Sequence, residues 1–376
     1  MIYADNAATT AMSRAAYQAM RPYFEQEYGN PSTLYGMGQR AHRAIEDARK
    51  TIAACIGADP SEVYFTSGGT EADNWAIKEI MFACSDRRAL LTTQIEHHAV
   101  LNSAAAIGRM GYPVTYLPVD TQGILQPNTL REAISAKIKL VSVMMANNEI
   151  GTIEPIRELV GIAHEAGALL HTDAVQAVGH ILVDVHALGV DLLSASAHKF
   201  NGPKGVGFLY CKAGTALPPL LCGGGQEFGL RSGTENVAGI VGMAVALKEN
   251  ITALSENMGK LDDMAQTLRE KLRREIPDVV FNGDPNHRLS GAISVSFRKV
   301  SAESMLHYLD LHGICVSSGS ACNSKSTEVS HVLQAIHLPD EYARGTIRIT
   351  LGVSNTQEDI IAIAAHFRKA YDKLAQ

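Results

Sequence analysis

Cysteine is scarce in this 376-residue chain: six residues, at positions 55, 84, 211, 222, 315 and 322, with no Cys-x-x-Cys pair. That spacing argues against a zinc site, and in a reducing compartment most of these stay free thiols. Cys55, Cys84 and Cys211 have apolar neighbours and read as small core residues. No apolar run is as long as a membrane span, and the start, Met1-Ile-Tyr-Ala-Asp, lacks the basic and apolar regions of a secretory signal. A cytoplasmic location without membrane contact is therefore expected. Nor is there a basic excess: the net charge is −6, which gives no footing for direct nucleic-acid binding. Internal repeats and low-complexity tracts are missing. What is present is ordinary, 46% apolar and 19% charged residues. The length suits about two domains with ample core.

Residues 3–10 are small and polar and read as an ordered loop. Helices are expected over about 14–27 and 36–55. Strand and helix then alternate. Strands are expected at 62–66, 89–93, 114–119, 139–145, 168–172, 190–196 and 206–211, with helices at 71–82, 98–107, 130–136 and 155–166. Helices separating apolar runs predict an α/β fold with a mainly parallel sheet covered on both faces. Residues 235–275 read as one long helix leading into a smaller α+β domain. That domain has strands at 291–297 and 346–350 and helices at 302–311 and 356–374.

The stretch 194–207, Ser-Ala-Ser-Ala-His-Lys-Phe-Asn-Gly-Pro-Lys-Gly-Val-Gly, puts Lys199 at the end of an apolar strand. A lysine there is costly unless paired, neutral or covalently modified, and the simplest modification is a Schiff base with pyridoxal 5′-phosphate. Asp173, at the end of the preceding strand, suits the pyridine nitrogen, although it would also cap a helix. Ser67-Gly-Gly-Thr70 lies between a strand and a helix, where free N–H groups bind phosphate, or it is a plain turn. No Gly-Lys-Ser/Thr follows, so it is not a nucleotide P-loop. Ser196 and His198 add possible phosphate donors. His97 and His98 are structural, or one stacks on a flat cofactor and moves protons. Asn148 is a turn residue or a donor to the ring hydroxyl or a substrate carboxylate. Arg348, among β-branched residues, either faces solvent or grips a carboxylate. Cys322, in a Ser/Gly-rich loop, is an incidental exposed thiol or a nucleophile on a mobile arm.

Taken together these segments resemble the pyridoxal-phosphate-dependent cysteine desulfurases of the NifS/IscS type, within the class V aminotransferase-like enzymes. The matching runs are Asp5-Asn-Ala-Ala-Thr-Thr10, Thr66-Ser-Gly-Gly-Thr-Glu71, Glu96-His97, Asn147-Asn-Glu-Ile-Gly151, His171-Thr-Asp-Ala-Val-Gln176, Ser196-Ala-His-Lys199, Gly202-Pro-Lys-Gly205, Arg231-Ser-Gly-Thr234, Ser317-Ser-Gly-Ser-Ala-Cys322 and Ile347-Arg348. The resemblance implies the type I fold of such transferases, with a seven-stranded sheet in a large domain over 14–255. Residues 1–13 and 256–376 form the small domain, which carries the catalytic loop 317–330.

It further implies that Lys199 is the Schiff-base lysine and that Asp173 pairs with the ring nitrogen. Gln176 and Asn148 contact the ring hydroxyl, and Gly69, Thr70, Ser196 and His198 hold the phosphate. Thr234 reaches the phosphate of the other subunit, implying a homodimer with shared sites. His97 stacks on the ring and assists proton transfer, and Arg348, with Asn148, binds the carboxylate of L-cysteine. Cys322 attacks the substrate sulfur and carries it as a persulfide while the carbon skeleton leaves as alanine. No metal is implied in the cofactor site, although Cys322 could ligate a transferred iron–sulfur cluster. The implied partner is a sulfur acceptor, an iron–sulfur scaffold or a tRNA-thiolation enzyme. The sequence departs at Ala197, where many relatives have Gly, and ends without the longer tail of members that serve a general scaffold. A selenocysteine lyase or another class V lyase or aminotransferase is the alternative.

Overall fold

A computed structural model of the chain describes residues 1–83, 88–318 and 329–375. Its strands, in chain order, are β1 (Ile2–Tyr3), β2 (Val63–Thr66), β3 (Ala89–Thr93), β4 (Val114–Leu117), β5 (Ile138–Ser142), β6 (Leu169–Asp173), β7 (Leu192–Ser196), β8 (Gly207–Cys211), β9 (Val279–Asn282), β10 (Ala292–Phe297), β11 (Ile314–Cys315) and β12 (Thr346–Thr350). Seven form one sheet in the order β2-β8-β7-β6-β5-β3-β4. β8 runs antiparallel to both neighbours, and the pairs from β7 to β4 are parallel. The expectation of a mainly parallel seven-stranded sheet is met. β7 and β8 are buried at every position, as strands covered on both faces must be.

Two expectations need correction. Residues 235–275 are not one helix: Val237–Thr252 and Leu254–Glu275 meet at a 70° bend. Ala253 leaves helical geometry there (φ −97°, ψ 8°), and the Thr252 hydroxyl bonds back to the Lys248 carbonyl, which competes with the helical ladder. The helix expected over 14–27 likewise divides into Arg14–Met20 and Pro22–Glu25, because Pro22 opens a new first turn. Among the described residues, no single helix is long and apolar enough to cross a membrane. Cys211 is buried and Cys55 partly buried, whereas Cys84 lies outside the described residues.

A second sheet, β12-β10-β9, is wholly antiparallel. Its core joins Val295, Phe297, Ile347 and Ile349 to Leu268 of one flanking helix and Phe367 of another. Each such side chain contributes roughly 1.5–3 kcal/mol by leaving water. Val332, Leu333 and Ile336 pack instead on the core of the seven-stranded sheet.

The N-terminal segment straps the two sheets together. β1 pairs in parallel with β11, Asp5 bridges to Thr350 of β12, and the Ala7 N–H donates to the Thr350 hydroxyl. A few residues on, the Thr10 N–H donates to the His198 carbonyl at 2.9 Å and Ser13 N–H to that of Asn201 at 2.8 Å. The strap thus runs from the small sheet to the turn that carries Lys199.

Candidate active site

The carboxyl ends of β6 and β7 lie side by side, Asp173 opposite Ser194, which is where an open α/β sheet binds its ligands. Lys199 ends the 3-10 turn Ala197–Lys199 directly after β7. Its ammonium donates to the carbonyls of Ala7 (2.5 Å) and Ala8 (2.9 Å) on the strap. The Gln176 amide donates to the same Ala7 oxygen at 3.0 Å.

Asp173 is buried, and burial pushes its carboxyl up, opposed by His97, by the Val175 N–H that donates to Oδ1, and by Lys199. The alternative reading of Asp173 as a helix cap does not hold, because the chain turns after it without forming a helix. His97 caps the helix His98–Arg109, its Nδ1 accepting from the Ala99 N–H at 3.1 Å. That bond fixes Nδ1 as acceptor and therefore Nε2 as the proton-bearing nitrogen of the neutral ring. Burial holds His97 below the ordinary histidine range, and the charge of Lys199 adds to this while Asp173 opposes it. Asp173 and His97 thus act on each other's titration, and the charge of Lys199 acts on both.

The turn after β2 is built for a close approach. Gly68 has φ 153°, and the helix that follows, over 69–82, starts with no side-chain cap. A Cβ on Gly69 would meet Val175 Cγ2 at 2.5 Å and Ser196 Cβ at 3.7 Å. A Cβ on Gly207 would strike Ala195 O at 2.4 Å and Gly68 Cα at 2.8 Å, so β8 can lie against the turn only as glycine. Ser196 thus stands over the Gly68-Gly69 turn, whose Gly68 N–H donates to the Thr66 hydroxyl at 3.3 Å. His198 joins through Nδ1 to the Thr9 hydroxyl at 3.1 Å, and burial beside Lys199 and Lys204 pushes it down to about 4. Thr70 and Thr234 are exposed. Arg231, near Thr234, forms an ion pair of 2.8 Å with Glu71, which also accepts from Ser67 beside the turn.

Arg348 is 3% exposed, so it does not face solvent. Nη2 pairs with Asp5 at 2.7 Å and Nη1 donates to the Asn148 carbonyl at 3.0 Å, while Nε is buried with no hydrogen-bond partner. Cys322 lies outside the described residues. The chain on either side of 319–328 is anchored at the site: Ser317 pairs with Arg348, Ser330 donates to Glu149 at 2.6 Å, and the His331 ring donates to the Glu96 carbonyl at 3.0 Å.

Three buried participants were given no role by the motif reading, although Glu96 and His171 lie within matching runs. Glu96 is buried beside His97, accepts from Thr93 and the Met144 N–H, and is pushed up to about 8 by burial. Asp73 lies fully buried with its carboxyl raised by burial and by Asp173. His171, 3.6 Å from Asp73, is pushed down to about 3 by burial. Burial thus disfavours the charged form of both groups beneath the site. A carboxylate two residues past Glu71 was the one available signal for Asp73. A cavity of about 810 Å³ borders the strap at Asn6, Ala7, Asn148 and Gln176; Lys199, Asp173 and His97 do not line it.

This donor set fits pyridoxal phosphate: a lysine amine, a buried carboxyl with one oxygen left for a ring N–H, a neutral imidazole, and a glycine cradle that any Cβ would fill. The aminotransferase class V family model matches residues 2–363, and the chain belongs to that family. It is 49% identical over 360 residues to the cysteine desulfurase IscS of Dictyoglomus turgidum, covering 96% of this chain and 91% of that relative. It is 48% identical to the cysteine desulfurase IscS of Methanosarcina thermophila, over 96% and 89%. A solved NifS-like protein superposes with a TM-score of 0.94 at 36% identity, over 99% of this chain and all of that one. These relationships support cysteine desulfurase function and the type I transferase fold, and the family generally depends on pyridoxal phosphate.

Proposed function

We propose that this chain binds pyridoxal phosphate on Lys199 and desulfurates L-cysteine, leaving L-alanine and a persulfide on Cys322. The observation that carries it is the convergence of Lys199, Asp173 and His97 past the carboxyl ends of interior strands, beside the uncapped helix start at Gly69. When bound, the cofactor supplies an electron sink for the pair left by the substrate's Cα proton.

Each residue then has a task. Asp173 holds the ring N–H at its free oxygen. Gly69, Thr70, Ser196 and His198 hold the phosphate, and Gln176 and Asn148 the ring hydroxyl. His97 stacks on the ring and moves protons through Nε2, its Nδ1 being engaged with Ala99. Arg348 and Asn148 bind the substrate carboxylate; the unpartnered Nε is the donor in reserve. Net chemistry balances without an external redox partner: the substrate C–S bond breaks, a Cys322 S–S bond forms, and the Cys322 thiol proton and the electron pair end on carbon. Anchoring of both flanks of 319–328 at Arg348 and Glu96 supports a thiol working there.

A homodimer with Thr234 reaching the partner's phosphate, a sulfur-acceptor protein and a cytoplasmic location complete the reading. The free thiols of Cys55, Cys211, Cys222 and Cys315 are consistent with a reducing compartment. The division into 14–255 and 1–13 with 256–376 is supported by separate cores, although residues 332–336 pack on the first. The test is product analysis with L-cysteine. Wild type yields alanine and sulfide in equal amounts under reducing conditions, whereas Cys322→Ala yields neither and keeps its cofactor colour. Undiminished turnover by Cys322→Ala contradicts the persulfide step.

A further inference from the structure

A second pocket, of about 600 Å³, lies away from the Lys199 site, between the helix Leu254–Glu275, β9, the 283–288 turn and residues 336–339. Three arginines line it: Arg269 and Arg273, one helical turn apart, and Arg288 from the turn. Among the described residues, no carboxylate forms an ion pair with any of the three. Asp284, the nearest acid in sequence to Arg288, is committed to the Asn286 and His287 N–H groups. Asp262 acts on Arg288 only at longer range, and burial pushes that guanidinium down.

Arg269 is the decisive member. It is 4% exposed, and only Nη2 has an acceptor, the Ala292 carbonyl at 2.8 Å; Nε and Nη1 are buried with none. Unpaired donors on a buried cation cost far more than a hydrogen bond returns, so such a group signals an absent acceptor. Arg269 and Arg273 both lie over the Phe281 ring, at 5.9 Å and 5.2 Å, but that contact supplies no oxygen acceptor for Nε and Nη1 of Arg269.

We propose that this pocket binds a phosphoryl group, free or on a small organic phosphate. A single carboxylate brings one charge and two oxygens to three guanidinium groups. A phosphate brings up to two charges and three terminal acceptor oxygens, the better match for planar forked donors. Ile336, Leu338 and Pro285 on the wall give an organic body an apolar surface.

Calorimetric titration of the full chain saturated with pyridoxal phosphate, so that the cofactor's own phosphate site is filled, tests this. Inorganic phosphate and glycerol 3-phosphate are the probes, with citrate as the carboxylate comparison. One saturable site per chain is expected for at least one phosphate probe. Binding should be weaker by roughly tenfold or more in Arg273→Gln/Arg288→Gln. Those two side chains are exposed and half-buried, so the double variant keeps its fold. Arg269→Met abolishes binding if it folds. Tighter binding of glycerol 3-phosphate than of phosphate identifies an organic phosphate as the ligand; the reverse identifies free phosphate. No saturable heat at roughly millimolar phosphate, binding of citrate alone, or wild-type affinity in the double variant overturns the proposal.

Discussion

The two ends of the strap hold their cations by different means. At the large sheet, Lys199 follows β7 directly and its neighbours Asp173 and Ser196 are strand ends, so parallel pairing alone fixes them. At the small sheet, Arg348 is buried in β12 and is held by Asp5 and Asn148, contacts that span 343 and 200 residues of sequence. Lys199 is met by backbone carbonyls that can release it, whereas Arg348 is met by a carboxylate in a near-dry site. The first arrangement suits an amine that must change bonding partners. The second suits a fixed charge, because removing one member of such a pair strands the other.

Breaking the large-sheet end gives the greatest effects. His97→Gln keeps the size and a donor but cannot take up a proton, and it lowers kcat for L-cysteine by roughly 10²–10⁴-fold with cofactor still bound. Steady-state kinetics beside the visible spectrum check this. Gly69→Ala drives a methyl against Val175, and overpacking of about 1–3 kcal/mol weakens cofactor affinity by roughly 10–100-fold, measurable by equilibrium dialysis.

At the small-sheet end, Arg348→Lys keeps the charge and loses the fork. KM for L-cysteine rises by roughly tenfold while cofactor affinity stays unchanged, which separates the two ends. A parallel loss of cofactor would mean that the strap couples them.

The smallest effect belongs to Glu96. Its folded value of about 8 lies above the ordinary glutamate value of 4.5, so the folded chain holds a proton that the unfolded chain releases. That contribution is complete below about 4.5 and is lost as pH rises through about 8. Urea midpoints should therefore fall between about pH 5 and about pH 9. Glu96→Gln, unable to ionise, reduces the fall only in part, because Glu154 behaves alike. An unchanged pH slope in the variant contradicts the assignment.

The same contrast explains what the sequence could tell. Lys199, Asp173 and Gly69 were legible because each follows a short apolar run, and strand ends in a parallel sheet converge. The seven strands were legible for the same reason. Asp5 as the partner of Arg348, and Glu227 as the partner of the buried Arg49, were not, since nothing local marks a pair that only tertiary folding creates. The bend at Ala253 was hidden because no glycine or proline makes it. The shifts of Asp73 and His171 toward their uncharged forms come first from burial, which periodicity does not grade residue by residue.

The central claim is that Lys199 carries the cofactor. Borohydride reduction of the cofactor-saturated chain, followed by peptide mass spectrometry, tests it most directly. A pyridoxyl group on the peptide containing Lys199, with loss of the visible band, is the predicted result. An unmodified Lys199, or an adduct on another lysine such as Lys204, contradicts it.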